Sequence, residues 1–325
     1  MIVTRVSVPD GGRTRVSPAE ARRLIAEDPF LLLGVQLLDE ADPADDPVAG
    51  RLGLDDDDDL AWFGRADQTS RAEFLGDLAG FVVPVVADDT IAYVHALAGE
   101  RFVVAAHWGQ DVLASGFTAQ LCRERPRDAV ATLFLLLQEA LATFRRATVR
   151  ALLQVEELED AMFEHRRPEQ IYRLSQLRRR AALLHHALLP YLQAVDDVVA
   201  RRMTSSDFPA ERQRLAREFV RAARLVRTDV ESLQDAARRA LASYSSLIAG
   251  EQNGVINRLA IVSVVFLPLS FLTGFFGMNF TFLTDKLETR DEFWLLAVGL
   301  QLVAVAAAGY VLHRTRIWRR LRDDD

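Results

Sequence analysis

The last quarter of the chain carries neutral, oxygen-bearing residues at helical spacing in, and just before, a stretch without charge. Asn253, Ile256, Ala260, Ser263, Leu267, Ser270, Gly274 and Gly277 recur every three or four positions, so on a helix they share one stripe. No residue from Leu259 to Thr284 is charged, and the stretch contains the tripeptide Gly277-Met278-Asn279. Amide, hydroxyl and bare backbone carbonyl oxygens can hold a water-clad divalent cation by hydrogen bonds without stripping its hydration shell. No carboxylate lies on the stripe, so such an ion would not be trapped too firmly to leave. The stripe is small and polar toward Gly277 and more apolar toward Ile256. Its other faces carry Val262, Val265, Phe266, Phe271 and Phe275, which suit lipid or a neighbouring span.

Other chemistries find little support. The net charge of −7 argues against nucleic-acid binding by the whole chain. A single cysteine, Cys122, rules out a disulfide framework and a thiolate zinc cluster. In its apolar, helix-like run Cys122 reads as a small buried side chain. The six histidines, with His185 and His186 adjacent, show no metal-ligand or triad spacing, because neighbours on a helix point about 100° apart. No phosphate loop is present, so ATP-driven pumping is unsupported. An enzyme is not expected, nor is a prosthetic group.

The elements that must position the stripe follow from charge and hydropathy. Leu259–Thr284 and Phe293–Leu312 are both uncharged and reach the roughly 20 residues that cross a bilayer core. The expected order is a first transmembrane helix over 258–279, an external loop over 280–292, a second helix over 293–313 and a basic tail over 314–325. Arginines flank the pair at Arg238, Arg239 and Arg258 and again from Arg314 to Arg322. The loop sets Lys286 and Arg290 against Asp285, Glu288, Asp291 and Glu292. This asymmetry puts both termini in the cytoplasm, with Trp294 and Trp318 near the two interfaces. Met1–Asp10 has no basic start followed by an apolar core, so no signal peptide is expected there and the N-terminal part should stay inside the plasma membrane.

Upstream, residues 1–126 read as an α/β domain. Ser17-Pro18-Ala19-Glu20 has the residues of a helix start. Phe30–Leu38, Phe81–Val86, Ile91–Leu97 and Arg101–His107 have strand composition, and Ala98-Gly99-Glu100 should turn the last two into a hairpin. The run Asp55–Asp59 reads as a solvated loop. Residues 127–208 have helical periodicity, with Leu152, Val155, Leu158, Met162 and His165 on one stripe and Thr204–Pro209 as a turn. A single helix should run from Pro209 to about Phe276, on the order of 100 Å at 1.5 Å per residue: a stalk over 209–257 continuing into the first span.

The segment Pro268-Leu269-Ser270-Phe271-Leu272-Thr273-Gly274-Phe275-Phe276-Gly277-Met278-Asn279, closing an uncharged span and preceding one last span, resembles the CorA family of divalent cation channels. Asn253-Gly254-Val255-Ile256-Asn257-Arg258-Leu259 and the arginine-rich helices from Leu158 to Tyr191 are similar to that family as well. The resemblance implies a funnel-shaped homopentamer in the lipid bilayer that passes Mg²⁺, with Co²⁺ or Ni²⁺ as surrogates. It makes Gly277, Met278 and Asn279 the outer filter, with Gly277 and Asn279 as the metal-facing pair. Ser270 and Asn253 become deeper polar rings, and Ile256, Leu259 and Leu267 a hydrophobic gate. It also implies regulatory divalent ions between cytoplasmic subunits. Asp88, Asp89, Asp196, Asp197, Asp229 and Asp235 are candidate ligands that the sequence does not rank. The loop after Asn279 lacks the acidic Pro-Glu-Leu-like segment of many magnesium-transporting members, and Ala242 and Ser243 stand where aspartates are common. A Zn²⁺ transporter of the same fold, related to the ZntB branch, therefore stays open. So does a non-conducting, membrane-tethered metal sensor or scaffold.

Overall fold

Ser17 starts the first helix by the chemistry its sequence predicts. Its hydroxyl accepts a hydrogen bond from the Glu20 N–H at 3.2 Å, and Pro18 opens α1 (Pro18–Glu27) where a missing N–H costs nothing. The computed structural model describes residues 1–37, 48–54, 61–63, 69–109, 111, 113–203, 209–278, 291 and 293–314. The Asp55–Asp59 run, the turn residues 204–208, Asn279, the loop residues 280–290 and 292, and the tail from 315 with Trp318 lie outside the described residues. The chain divides into two units, Met1–Leu241 and Ala242–Asp325.

The first unit is built on a seven-stranded sheet of order β2-β1-β3-β7-β6-β5-β4. Its strands are β1 (Ile2–Val6), β2 (Arg13–Val16), β3 (Leu31–Leu37), β4 (Arg71–Leu75), β5 (Leu78–Ala87), β6 (Thr90–Ala98) and β7 (Phe102–Trp108). The expected hairpin joins β6 and β7, with Ala98 opposite Val103. Strands β3 and β7 pair in parallel, Leu31 to Phe102 through Leu37 to Trp108, and every other pairing is antiparallel.

Strand alternation assigns the two faces. Leu31, Leu33, Val35 and Leu37 pack in one cluster with Val104 and Ala106, beside Ala21 and Ile25 of α1, Leu52 of α2 (Val48–Leu52), and Trp62. Against β5, β6 and β7 packs α4 (Ala129–Glu164). Its N-terminus is capped by Asp128, which accepts from the Ala131 N–H at 2.7 Å. The Thr143 hydroxyl receives the Val86 N–H at 2.9 Å and ties helix to strand. Val155, Leu158 and Met162 of the expected stripe are buried, whereas His165 ends the helix in an exposed position.

Two long helices follow α4: α5 (Pro168–Met203) and α6 (Ala210–Phe276), whose first part belongs to this unit. Tyr191 of α5 donates its hydroxyl to the Leu137 carbonyl at 2.7 Å and meets Phe219 of α6 edge-on at 6.0 Å. The 67-residue α6 is a single helical element, as the sequence predicts. In the second unit, a π-helical turn at Phe293–Val298 leads into α7 (Gly299–Arg314).

One expectation is corrected. Cys122 is exposed, not buried. In α3 (Ala114–Glu124) the buried positions are Phe117 and Leu121, four apart, preceded by Leu113. Cys122 is turned about 100° off that stripe, and its sulfur lies 3.5 Å from the Asp10 carbonyl.

Candidate functional site

The second unit contains the described part of the stripe. Within α6, the residues Ile261, Val265, Pro268, Leu269, Leu272 and Phe276 are half-buried, while Asn253, Ile256, Ala260, Ser263, Leu267, Ser270, Gly274 and Gly277 are exposed. At 3.6 residues per turn the half-buried set and the stripe lie on roughly opposite sides of the helix. Leu267, at 74% exposure, is the barest large side chain of the stripe. Leu259, and Met278 beyond the helix end, are both exposed. The best 18-residue window of α6 has a mean hydropathy of 2.3 with none of it buried, and the window at Trp294–Arg314 reaches 2.2. Both helices are long and apolar enough to cross a membrane.

Local hydrogen bonding decides which oxygens the helix can offer. Ser263 donates its hydroxyl hydrogen to the Leu259 carbonyl at 2.9 Å. Thr273 donates to Leu269 at 2.9 Å and to Ser270 at 3.1 Å. With the hydrogen committed inward, the hydroxyl lone pairs remain as acceptors. Ser263 lies on the stripe, and Thr273 sits about a quarter turn away. Pro268 has no N–H, so the Val264 carbonyl loses its ladder partner.

Gly277 follows directly on the last residue of α6. Its N–H keeps the helical bond to the Thr273 carbonyl at 3.0 Å, and Met278 bonds to Phe275 at 3.3 Å, tightening the last turn. The helix ends at Phe276, these two bonds close its last turn, and Gly277 is not among the described glycines at positive φ. What the missing side chain provides here is open room around the last backbone carbonyls. Asn279, the amide of the proposed filter, lies outside the described residues.

The candidate regulatory carboxylates do not gather. Asp89 forms a salt bridge with Arg180 of α5, and the Asp88 carbonyl accepts from the same guanidinium at 2.7 Å, so this β5–β6 turn is docked on α5. Asp229 lies 3.7 Å from Arg145, and Asp235 lies 3.6 Å from Arg238. Asp196 and Asp197 are exposed on α5. Among the described residues, no three His, Cys, Asp or Glu side chains converge as a metal site.

A family profile described as "CorA-like Mg2+ transporter protein" matches residues 35–314, nearly the whole chain. The chain belongs to this family. The CorA magnesium transporter of Methanocaldococcus jannaschii superimposes with a TM-score of 0.73 at 17% identity, covering 96% of this chain and 97% of that one. Full-length CmaX gives 0.66 at 18% identity, covering 99% and 97%. At these identities the likeness establishes the CorA fold: the α/β domain, the long helix and the two apolar C-terminal helices. Among relatives by sequence, a cobalt/magnesium transport protein CorA of Thermotoga maritima is 25% identical over 160 residues, 49% of this chain and 44% of that protein. A magnesium transport protein CorA of Haemophilus influenzae is 29% identical over 119 residues, 34% and 36%. The aligned part thus spans less than half the length of these curated relatives. The CorA family is one of membrane transporters, and the described part of the stripe falls inside the matched region.

Proposed function

We propose that this chain is the subunit of a homopentameric channel that passes divalent cations, Mg²⁺ first among them, across the plasma membrane. The observation that carries the proposal is the bare polar stripe of α6, set opposite the half-buried face and ending in the family's Gly-Met-Asn tripeptide. Two spans cannot enclose an aqueous path, so several copies must place their stripes around one axis. Asn279 and the Gly277 carbonyl then form the outer ring that holds the hydrated ion, with Met278 beside them. Ser270 and Asn253 are polar rings along the path. Ile256, Leu259 and Leu267 form an apolar constriction that closes by dewetting. Both termini lie in the cytoplasm, where the resting concentration of divalent ions acts on the closed state. No prosthetic group takes part; the metal is cargo and regulator.

Flux into liposomes tests the proposal. Mg²⁺ should enter without a pH gradient, and Asn279→Ala should abolish entry while leaving the oligomer intact. Unchanged entry would reject the filter. A second reading rests on the loop after Asn279, where Asp285 and Glu288 stand without the acidic segment of many magnesium-transporting members. Zn²⁺ entry that collapses without a proton gradient would favour it. An intact oligomer that passes no cation would instead favour a metal sensor or scaffold.

A further inference from the structure

A cavity of about 270 Å³ in the Met1–Leu241 unit uses none of the residues of the stripe. Phe74 and Phe81 line it from the sheet, Phe134 from α4, and Val195 and Val199 from α5. All of these but Phe74 are buried, so the body of the cavity is apolar. Its charged lining residues are Asp77, Glu100 and Arg212. The Arg212 side chain is only 12% exposed. Its two terminal nitrogens donate to the two oxygens of Glu100, at 3.4 and 2.9 Å. Its Nε donates to Asp128, which is not part of the cavity wall, at 3.1 Å. A guanidinium has five N–H groups, so two are left to donate. Glu100 makes a further interaction besides those with Arg212. These walls offer an ion little. A carboxylate reaching Arg212 would sit beside Glu100, a like charge already bonded there. An ammonium would find Glu100 engaged and Asp77 exposed, and an ion pair at an exposed carboxylate contributes about 1 kcal/mol at most. Taking either ion out of water costs several kcal/mol. A neutral carbonyl oxygen costs far less to desolvate and accepts what Arg212 still has to give.

We propose that this cavity binds a small uncharged carbonyl compound, with an aromatic body among Phe74, Phe81 and Phe134 and its oxygen accepting from Arg212. At about 30 Å³ per heavy atom in a liquid, the volume holds on the order of nine heavy atoms, the size of acetophenone. The three phenylalanine rings offer edges and faces to an aromatic body of that size.

The test uses the full chain in lipid nanodiscs and four probes of one planar shape: acetophenone, benzoate, benzamidinium and the hydrocarbon α-methylstyrene. Methyl-labelled valine and leucine report occupancy from the cavity itself, through the shifts of Val195 and Leu137, which line it. Plotted against free probe measured by dialysis, these shifts should give acetophenone a dissociation constant on the order of 1 mM, within the ligand efficiency of so small a molecule. Benzoate and benzamidinium should each bind at least about tenfold more weakly, for the cost of desolvating their charge. The hydrocarbon should also bind about tenfold more weakly, for want of the hydrogen bond from Arg212. Val199→Trp should remove acetophenone binding by filling the cavity. Val198→Phe, at a less buried lining position, repeats that test if the first variant fails to fold. The inference is overturned if acetophenone leaves these methyl groups unmoved, if an ion or the hydrocarbon binds as tightly, or if a well-folded filled variant binds undiminished. Because the readout is binding in this cavity, failure here leaves the flux experiment untouched.

Discussion

Gly116 and Glu139 make a local packing prediction that can be worked through in full. Glu139 is buried at 3% exposure in the middle of α4, and its carboxylate occupies the space a side chain at Gly116 of α3 would need. Gln120 donates to Glu139 at 2.9 Å and Arg146 donates at 2.8 Å. Gly116→Ala therefore evicts the carboxylate from both bonds. A hydrogen bond from a neutral donor to a buried carboxylate contributes about 2 kcal/mol. The Arg146 pair contributes about 1 kcal/mol at most, because the guanidinium side chain is 55% exposed and screened by water. Replacing glycine by alanine in a helix returns about 1 kcal/mol. The net loss is about 2 kcal/mol, which in a unit of this size lowers the midpoint by roughly 4–8 °C. Fluorescence-detected thermal unfolding of the purified full chain measures it. The decisive comparison is the double variant. Once Glu139→Ala has removed the carboxylate, Gly116→Ala has nothing to displace, so the double variant should melt no lower than Glu139→Ala alone. Additive losses, or a Gly116→Ala midpoint within about 1 °C of wild type, would refute the steric account.

The stripe and the sheet supply two more predictions. Leu267→Ser places a hydroxyl at the barest apolar position of the stripe and should raise Mg²⁺ flux several-fold by wetting the constriction; stopped-flow with a Mg²⁺-sensitive dye in liposomes reads this, and unchanged flux would remove Leu267 from the gate. Burial lowers the His107 pKa from its ordinary 6.5, against a raising effect from Asp111. The unfolded chain then binds the proton more readily, so the His107 contribution is complete above about pH 6.5 and is lost as the pH falls below it. The unfolding midpoint should drop between pH 7.5 and 5.5, and His107→Gln should flatten that drop; an equal slope in the variant would exclude His107 as its source.

Sequence patterning reached the elements that have one unambiguous period. Strands β5, β6 and β7 are apolar on both faces over much of their length and read as strands directly. Strands β1, β2 and β4 did not, because Arg5, Arg13, Arg15, Arg71 and Glu73 interrupt short segments whose neighbours cover them incompletely. A turn signal was nevertheless present at β4: Gly76 takes φ +59° between paired Leu75 and Leu78, and Gly-Asp between apolar residues is hairpin chemistry. The parallel pairing of β3 with β7 joins segments more than sixty residues apart, and no local pattern encodes such a partner. The same limit applied to the carboxylates. That Asp89 meets Arg180, and not one of the many other arginines, is set by the docking of a hairpin on a helix. The α6 stripe was legible because a helix maps spacing onto a face without help from the rest of the chain. α6 ends at Phe276, immediately before Gly277, whose N–H still makes the ladder bond to Thr273.

What must cover the stripe can be argued by elimination. The large apolar residues of the α6 span, among them Val262, Phe266, Leu267 and Phe271, are exposed in a single chain, and a patch of that extent is not stable against water. Lipid can cover Val262, Phe266 and Phe271. It is a poor cover for Ser270, since a polar group left unsatisfied in hydrocarbon costs several kcal/mol. Ser263 is a weaker constraint, because its hydroxyl already bonds to Leu259 and could face lipid at little cost. The half-buried strip does not help either, since Ser270 is not on it. The remaining partners for Ser270 are other copies of the same helix, or water held between them. Placing several copies with Ser270 inward also turns Asn253, Ile256 and Leu267 inward, since all four share one stripe. The polar rings and the apolar constriction of the proposed channel are thus one geometric consequence. A variant that moves the asparagine off the stripe, Asn253→Ala with Val255→Asn, should impair assembly in lipid before it alters which ion passes.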